Sequence, residues 1–231
     1  MLSKKELMAV PNAPQQSSFM LINTVSVKNT NGTFVMPAGI AAGDLLLIAS
    51  SAGDGGAATP TIALAYGIGF TALRGLSATY TISTSFYRVN SALSYKVAVG
   101  NESGTSISGF MNALDEIYVL FHVRGSNPIA SITATAETTS VATSGDPPAY
   151  SMSTTSTTDT VLIYSAVAGS GVPTVTASPT VTNSITVTPN VVYGAINTGV
   201  WLSQAASTYS FNQNDAGPMN VPLMARLVLN Y

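Results

Sequence analysis

Five apolar residues in a row, Leu45-Leu46-Leu47-Ile48-Ala49, stand between Gly43-Asp44 and a tail that ends in Gly53-Asp54-Gly55-Gly56. Side chains alternate between the two faces of a strand, so Leu45, Leu47 and Ala49 share one side and Leu46, Ile48 and Ser50 the other. Both faces must therefore be covered. A strand at an edge or facing water would alternate apolar with polar residues, so this run predicts a central strand with protein above and below it. The glycines predict that the strand stops there and that residues 52–60 form a loop.

The same reasoning extends along the chain. From Phe19 onward short apolar or alternating stretches recur with turn residues between them, and no long stretch has a helical period. Residues 19–27 predict the first strand, and residues 34–37 lead into the central one. Residues 85–89 and 94–99 flank Asn90-Ser91-Ala92, which reads as a hairpin turn, and Gly100-Asn101-Glu102-Ser103-Gly104 reads as another turn. Residues 117–124 predict a second doubly buried strand, with Ile117, Val119, Phe121 and Val123 on one face and Tyr118, Leu120, His122 and Arg124 on the other. A weaker strand falls at 132–136. Residues 138–158, rich in Ser and Thr and carrying Pro147-Pro148, read as a long connection crossing between sheets. Further strands are expected at 185–187, 191–196, 199–202 and 209–211, and Ala225, Leu227, Leu229 and Tyr231 alternate to the last residue. The sum is an all-β chain: an antiparallel, jelly-roll-like β-sandwich spanning residues 19–231 as a single domain, preceded by a short N-terminal arm or linker, residues 1–18.

In that arm Ser3-Lys4-Lys5-Glu6 fits a capping box, and Pro11 ends whatever starts there. A helix this short is marginal alone in water, so the arm is either a frayed tail or is held by a partner, with Leu2, Leu7 and Met8 as its candidate contacts.

The chain also carries an internal echo. Laid without gaps on Asp44–Ser50, the stretch Asp159-Thr160-Val161-Leu162-Ile163-Tyr164-Ser165 matches at Asp, Leu, Ile and Ser. Two readings fit: equivalent halves of a sandwich, or two central strands that meet the same packing demand. The shortness of the match favours the second.

Composition excludes more than it suggests. Only 8% of the 231 residues are charged, against about 25% in an average globular protein, with Ser, Thr, Asn and Gly in their place. An exterior of uncharged polar groups repels its neighbours weakly, which suits a subunit packed among others. Eight scattered Lys and Arg and a net charge of −2 exclude an electrostatic nucleic-acid surface. With no cysteine, thiol catalysis, cysteine-ligated zinc and disulfides are excluded. No apolar run reaches signal-peptide or membrane-span length, so synthesis and folding in a cytoplasm are expected, with no membrane partner.

Candidate chemistry is sparse. His122 is the only histidine, so a two-histidine metal site is excluded, and a structural role in mid-strand outweighs a place in a triad. For an oxygen-ligated ion such as calcium the best candidate is Asp54 in its glycine-rich segment, with Asp146 and Asp215 in similar surroundings, although loop aspartates are ordinarily turn formers. Asp115-Glu116 reads as a solvated turn; as a glycosidase pair it would need a third carboxylate at a defined distance. Trp201 and Tyr209, with Tyr193 and Phe211, are the rings that would stack on a sugar, and at strand spacing they equally fill a sandwich core. Gly67-x-Gly69 alone is no nucleotide signal. No cofactor is expected.

The order Ala42-Gly43-Asp44-Leu45-Leu46-Leu47-Ile48, a Gly-rich segment, Gly69-Phe70-Thr71, Tyr95-Lys96-Val97-Ala98 and Asn101-Glu102-Ser103-Gly104 resembles a group of β-sandwich structural proteins of tailed-bacteriophage virions. The resemblance covers about residues 35–125, with a looser echo in 159–231, and Phe70 stands where that group commonly has tryptophan. It implies a non-enzymatic virion component, such as a capsid decoration or cement protein, a fibre or a tail part. Its expected partners are other virion proteins and copies of itself in a trimer or larger ring. The alternative from the residues is a carbohydrate-binding module for host-surface recognition, and exposure of Trp201 separates the two.

Overall fold

The computed structural model describes residues 19–28, 31–56, 62–82, 84–113, 115–137, 148–154, 160–189, 194–203, 207–214 and 219–231. The described chain is all-β, with antiparallel sheets packed face to face as a β-sandwich. The first sheet orders its strands as β1 (Phe19–Lys28), β7 (Asp115–Gly125), β3 (Leu45–Gly56), β5 (Ser85–Val97) and β4 (Thr71–Ile82). The second orders them as β8 (Ser131–Ala136), β15 (Asn220–Asn230), β10 (Thr160–Ala168), β13 (Ala195–Ser203) and β12 (Asn183–Val187). Number the strands of each sheet by their appearance along the chain and both read first, fifth, second, fourth, third.

The outer layers repeat the same scheme. Over the first sheet β2 (Phe34–Val35) pairs with β6 (Ser106–Ile107), and Tyr66 bridges Phe110 just beyond β6. Over the second, β9 (Tyr150–Thr154) pairs with β14 (Ser207–Asn214), which pairs on its other side with β11 (Thr174–Ser178). In each half the three segments fall between the first and second, the second and third, and the fourth and fifth strands of the main sheet. The chain is therefore two topologically equivalent halves, 19–125 and 131–230. The heptapeptide that hinted at this is nevertheless out of phase. Leu45, Leu47 and Ala49 of β3 face the core between the halves, as do Val161, Ile163 and Val167 of β10, but the gapless match sets Leu46 and Ile48 against Val161 and Ile163. A one-residue slip exchanges faces, so the gapless match sets core-facing positions of one strand against outward-facing ones of the other.

Among the described residues three large cores stack through the layers, with a small fourth around Ala52, Ile62, Ala92 and Met111. The largest lies between the two main sheets and joins Leu45, Leu47, Phe121 and Val123 to Val161, Ile163, Leu223 and Leu227. There the sheets meet in reversed order, β1 across β13 and β4 across β8 and β15. Outside it, Phe34, Met36, Leu46, Ile48, Tyr118 and Leu120 fill the space under β2 and β6. Under β9, β14 and β11 lie Tyr164, Trp201, Tyr209 and Phe211. Both β3 and β10 are central and covered on both faces, as expected.

Several strand boundaries differ from the sequence reading. Asn90-Ser91-Ala92 is no turn: β5 runs straight through it, with Asn90 and Ser91 fully buried. The Asn90 amide donates to the Ile62 carbonyl (3.0 Å), and Ser91 Oγ meets Ser165 Oγ of the other half (3.1 Å), so distant partners satisfy what looked like turn polarity. β3 likewise continues through Gly56, because β5 offers a partner at every step, from Gly53 opposite Val89 to Gly56 opposite Phe86. β4 and β9 occupy stretches without a predicted strand, β9 inside the expected connection. Pro222 is tolerated in β15 because the β8 pairing begins only at Ala225.

The sheet edges are blunted in two ways. In the first sheet both edge strands are bulged, at Leu21/Asn23 in β1 and Ala72/Arg74 in β4, whereas the central pairings run without a shift. In the second, the edge strands β8 and β12 are simply short, six and five residues. Either device discourages edge-to-edge pairing. Among the described residues no helix is long and apolar enough to cross a membrane.

Candidate functional site

The densest group of ionisable side chains forms where the chain enters β3. Gly43, at φ +83°, turns the chain into the strand, and a Cβ there would lie 2.4 Å from the Pro128 Cβ. That turn places Asp44, only 2% exposed, beside the far end of β7. His122 and Arg124 sit two residues apart on β7 and so project from the same face. The Asp44 carboxylate takes four hydrogen bonds: from the Ala41 amide to Oδ2 (2.7 Å), from His122 Nε2 to Oδ2 (2.7 Å), from Arg124 Nε to Oδ1 (2.7 Å) and from Arg124 Nη2 to Oδ2 (2.6 Å). Arg124 Nη2 also donates to the Gly39 carbonyl (2.7 Å). Burial by itself would raise the Asp44 carboxyl; the Arg124 guanidinium, the Ala41 amide and His122 outweigh it and hold the group below its ordinary value. The Asp44 carboxylate in turn raises Arg124.

The arrangement fastens the turn before β3 to the end of β7. A serine-type relay needs a hydroxyl on the imidazole nitrogen opposite the aspartate. His122 is fully buried, and its Nδ1 has no hydrogen-bond partner among the described residues. A shallow cleft of about 200 Å³ adjoins the cluster, lined by residues 41–44 and 124–128. It reaches Asp44 and Arg124 but not the imidazole.

Two further carboxylates play the same part. Glu102, 1% exposed, accepts from the Val99 amide (3.0 Å) and Lys96 Nζ (2.9 Å) at Oε1 and from the Gly100 amide (2.9 Å) at Oε2. Burial opposes its ionisation, but those two amides and the ammonium prevail and bring it down to about 2. Glu116, also 1% exposed, accepts from the Gly32 amide (2.8 Å) and the Tyr118 hydroxyl. Asp115 is equally buried, so Asp115-Glu116 is not the solvated turn expected. The reason lies elsewhere in the chain: the loop before β2 folds back onto Glu116, and neighbouring residues carry no sign of that.

The remaining candidates are placed as follows. Asp54 does not sit in a flexible loop. It lies in β3 opposite Arg88, its Oδ1 bound to the Gly55 amide (2.8 Å), and among the described residues no three His, Asp or Glu side chains converge as a metal would need. Asp146, Asp215, Tyr193, Leu2, Leu7 and Met8 lie outside the described residues. Trp201 and Tyr209 are 2% and 5% exposed, facing inward between sheets, so their ring faces are not offered to a sugar. Trp201 packs on Tyr164 (5.4 Å) and Tyr209 (5.8 Å), Tyr164 stacks on Phe211 (5.0 Å), and Trp201 Nε1 donates to the Pro179 carbonyl (2.7 Å). Gly199 makes room for the Tyr164 ring, since a Cβ there would lie 2.7 Å from Cε1. Burial pushes the Tyr164 phenol up to about 12.

Sequence reasoning read Asp44 and Glu102 only as parts of motifs and did not anticipate the buried hydrogen bonds that they accept. Strand phase sets Asp44 on the face of Leu46 and His122 on the face of Arg124, but which strands pair is decided only by the tertiary structure. A scan against protein-family models, a search of curated proteins and a search of solved structures each return no match.

Proposed function

We propose that this chain is a non-enzymatic structural protein of a tailed-phage virion, a capsid decoration or cement protein or a fibre or tail component, which works by packing against other subunits. In this reading each half is a jelly-roll-like unit and the protein assembles on the particle as a trimer or larger ring. One observation carries the reading: Asp44, Glu102 and Glu116 are each spent on fastening loops to the first sheet, so the ionisable groups stiffen a scaffold and leave its exterior for contact. The weakly charged exterior and the order of the Gly-Asp-Leu-Leu, Gly-Phe-Thr and Tyr-Lys-Val-Ala motifs support it. The carbohydrate-binding alternative loses its two named rings, Trp201 and Tyr209, to the core. Mass spectrometry of purified particles from infected cells is the test. The chain is expected in stoichiometric amount, and its absence from washed particles defeats the proposal.

A further inference from the structure

Among the described residues Asp44 and Glu102 share no side-chain partner: His122 and Arg124 of β7 face the first, and Lys96 of β5 faces the second. Their turns are nevertheless bonded to each other. The Ile40 amide donates to Ser103 Oγ (2.9 Å), and that hydroxyl donates back to the Ile40 carbonyl (3.2 Å). The Gly43 amide donates to the Ala98 carbonyl (2.8 Å), and the Ala98 amide to the Asp44 carbonyl (2.8 Å). Farther along, the Met36 amide donates to the Thr105 carbonyl (2.9 Å), and the Gly104 amide to the Met36 carbonyl (3.1 Å). The turns also touch, since a Cβ on Gly100 would lie 3.3 Å from the Ala42 Cβ. The connection between the halves hangs on the same turn: the Ile129 amide donates to the Gly43 carbonyl (3.1 Å), and the next amide, of Ala130, to the Asn230 carbonyl of β15 (2.8 Å). All of these bonds lie beyond the β3–β5 ladder, which begins with Leu45 opposite Val97. Moving one turn therefore breaks bonds of the other two segments, while the sheet beneath keeps its own ladder.

We propose that residues 36–44, 99–105 and 125–130 form one charge-held latch, which opens as a unit while the sheets stay folded and whose two fasteners are Asp44 and Glu102. Neutralising either carboxylate then loosens the other's turn and the connection between the halves alike, and the coupling is reciprocal. Opening uncovers Met36 and Ile40, both buried in the closed form, and releases the first half's hold on Ile129. The latch is a conformational device, independent of what the protein packs against.

Native-state hydrogen exchange of the full chain, followed by NMR at neutral pH in increasing sub-denaturing urea, tests it. The Ala41, Val99, Gly100 and Ile129 amides are expected to converge on one urea-dependent opening that requires less free energy than the global unfolding read at Ile163 in β10. Asp44→Asn and Glu102→Gln, which remove the charge and keep the shape, are each expected to speed exchange at all four amides by about tenfold or more. Ser103→Ala touches neither carboxylate and is expected to speed all four by about threefold, so the test does not depend on a carboxylate variant that folds. The proposal is overturned if the four amides exchange by separate, urea-independent openings, if they converge only with Ile163, or if each substitution speeds its own turn alone.

Discussion

The two halves share an order of strands and are sealed by different chemistry. Over the first, the cover is thin, a two-residue pairing of β2 with β6 and a single bridge, and three buried carboxylates fasten its loops to the sheet. Over the second, a three-stranded layer lies on a stack of Tyr150, Tyr164, Trp201, Tyr209 and Phe211. Beneath that cover Phe34, Met36, Phe110 and Tyr118 also form an apolar core, to which the carboxylates add charge-assisted hydrogen bonds. A full layer rests on ring packing, which has no pH dependence of its own. One topology thus accommodates an apolar cover reinforced by buried carboxylates and one that rests on ring packing.

The largest effect that can break this comparison is in the second half. Trp201→Ala removes the largest fully buried side chain and is expected to destabilise the protein by about 3–5 kcal/mol in urea unfolding. Trp201 is also the single tryptophan, so its emission reports on this half. It is expected to be blue-shifted and weakly quenched by acrylamide, and quenching like that of free indole refutes the buried stack. In the first half Asp44→Asn is expected to cost about 2–3 kcal/mol, less than for a fully buried pair because the Arg124 side chain is 38% exposed.

Acid sharpens the contrast. Asp44 and Glu102 are both held below their ordinary values of 3.8 and 4.5, so their stabilisation is complete above those values and is lost as the pH falls through the folded ones, about 2 for Glu102. Hydrogen exchange between pH 4.5 and 2, corrected for the intrinsic pH effect, is expected to lose protection first at the Ala41, Val99 and Gly100 amides. Protection at Tyr209 and Phe211 is expected to persist, and simultaneous loss in both halves would mean that the seals are not independent. Gly43→Ala is expected to cost about 1–3 kcal/mol, since it meets Pro128 and requires an L residue at φ +83°. Smallest is Thr208→Ala on the solvated outer face, expected within about 0.5 kcal/mol.

What was legible in the residues was apolar phase. β3, β7, β10 and the end of β15 announced themselves because each needs cover that its own side chains declare. The candidate site was legible only in part: His122 was placed in mid-strand, where it lies buried against Asp44, whereas Asp54 was misplaced because glycine near an aspartate looks the same in a loop and in a strand with a continuous partner. Asp115-Glu116 and Asn90-Ser91 were misread for one physical reason, that a polar group is buried or solvated according to whether a remote donor or acceptor meets it.

Sequence alone, then, settled that this is a layered β protein with two doubly covered strands and few charges, because alternation and charge are properties of neighbouring residues. The tertiary structure decided that the layers come as two equivalent halves, that the seven-residue echo is out of phase, and that buried carboxylates help to close one half where a three-stranded layer over aromatic rings closes the other. Those outcomes depend on contacts between residues as far apart as Asp44 and His122 or Ser91 and Ser165, and no local pattern encodes which distant partner arrives.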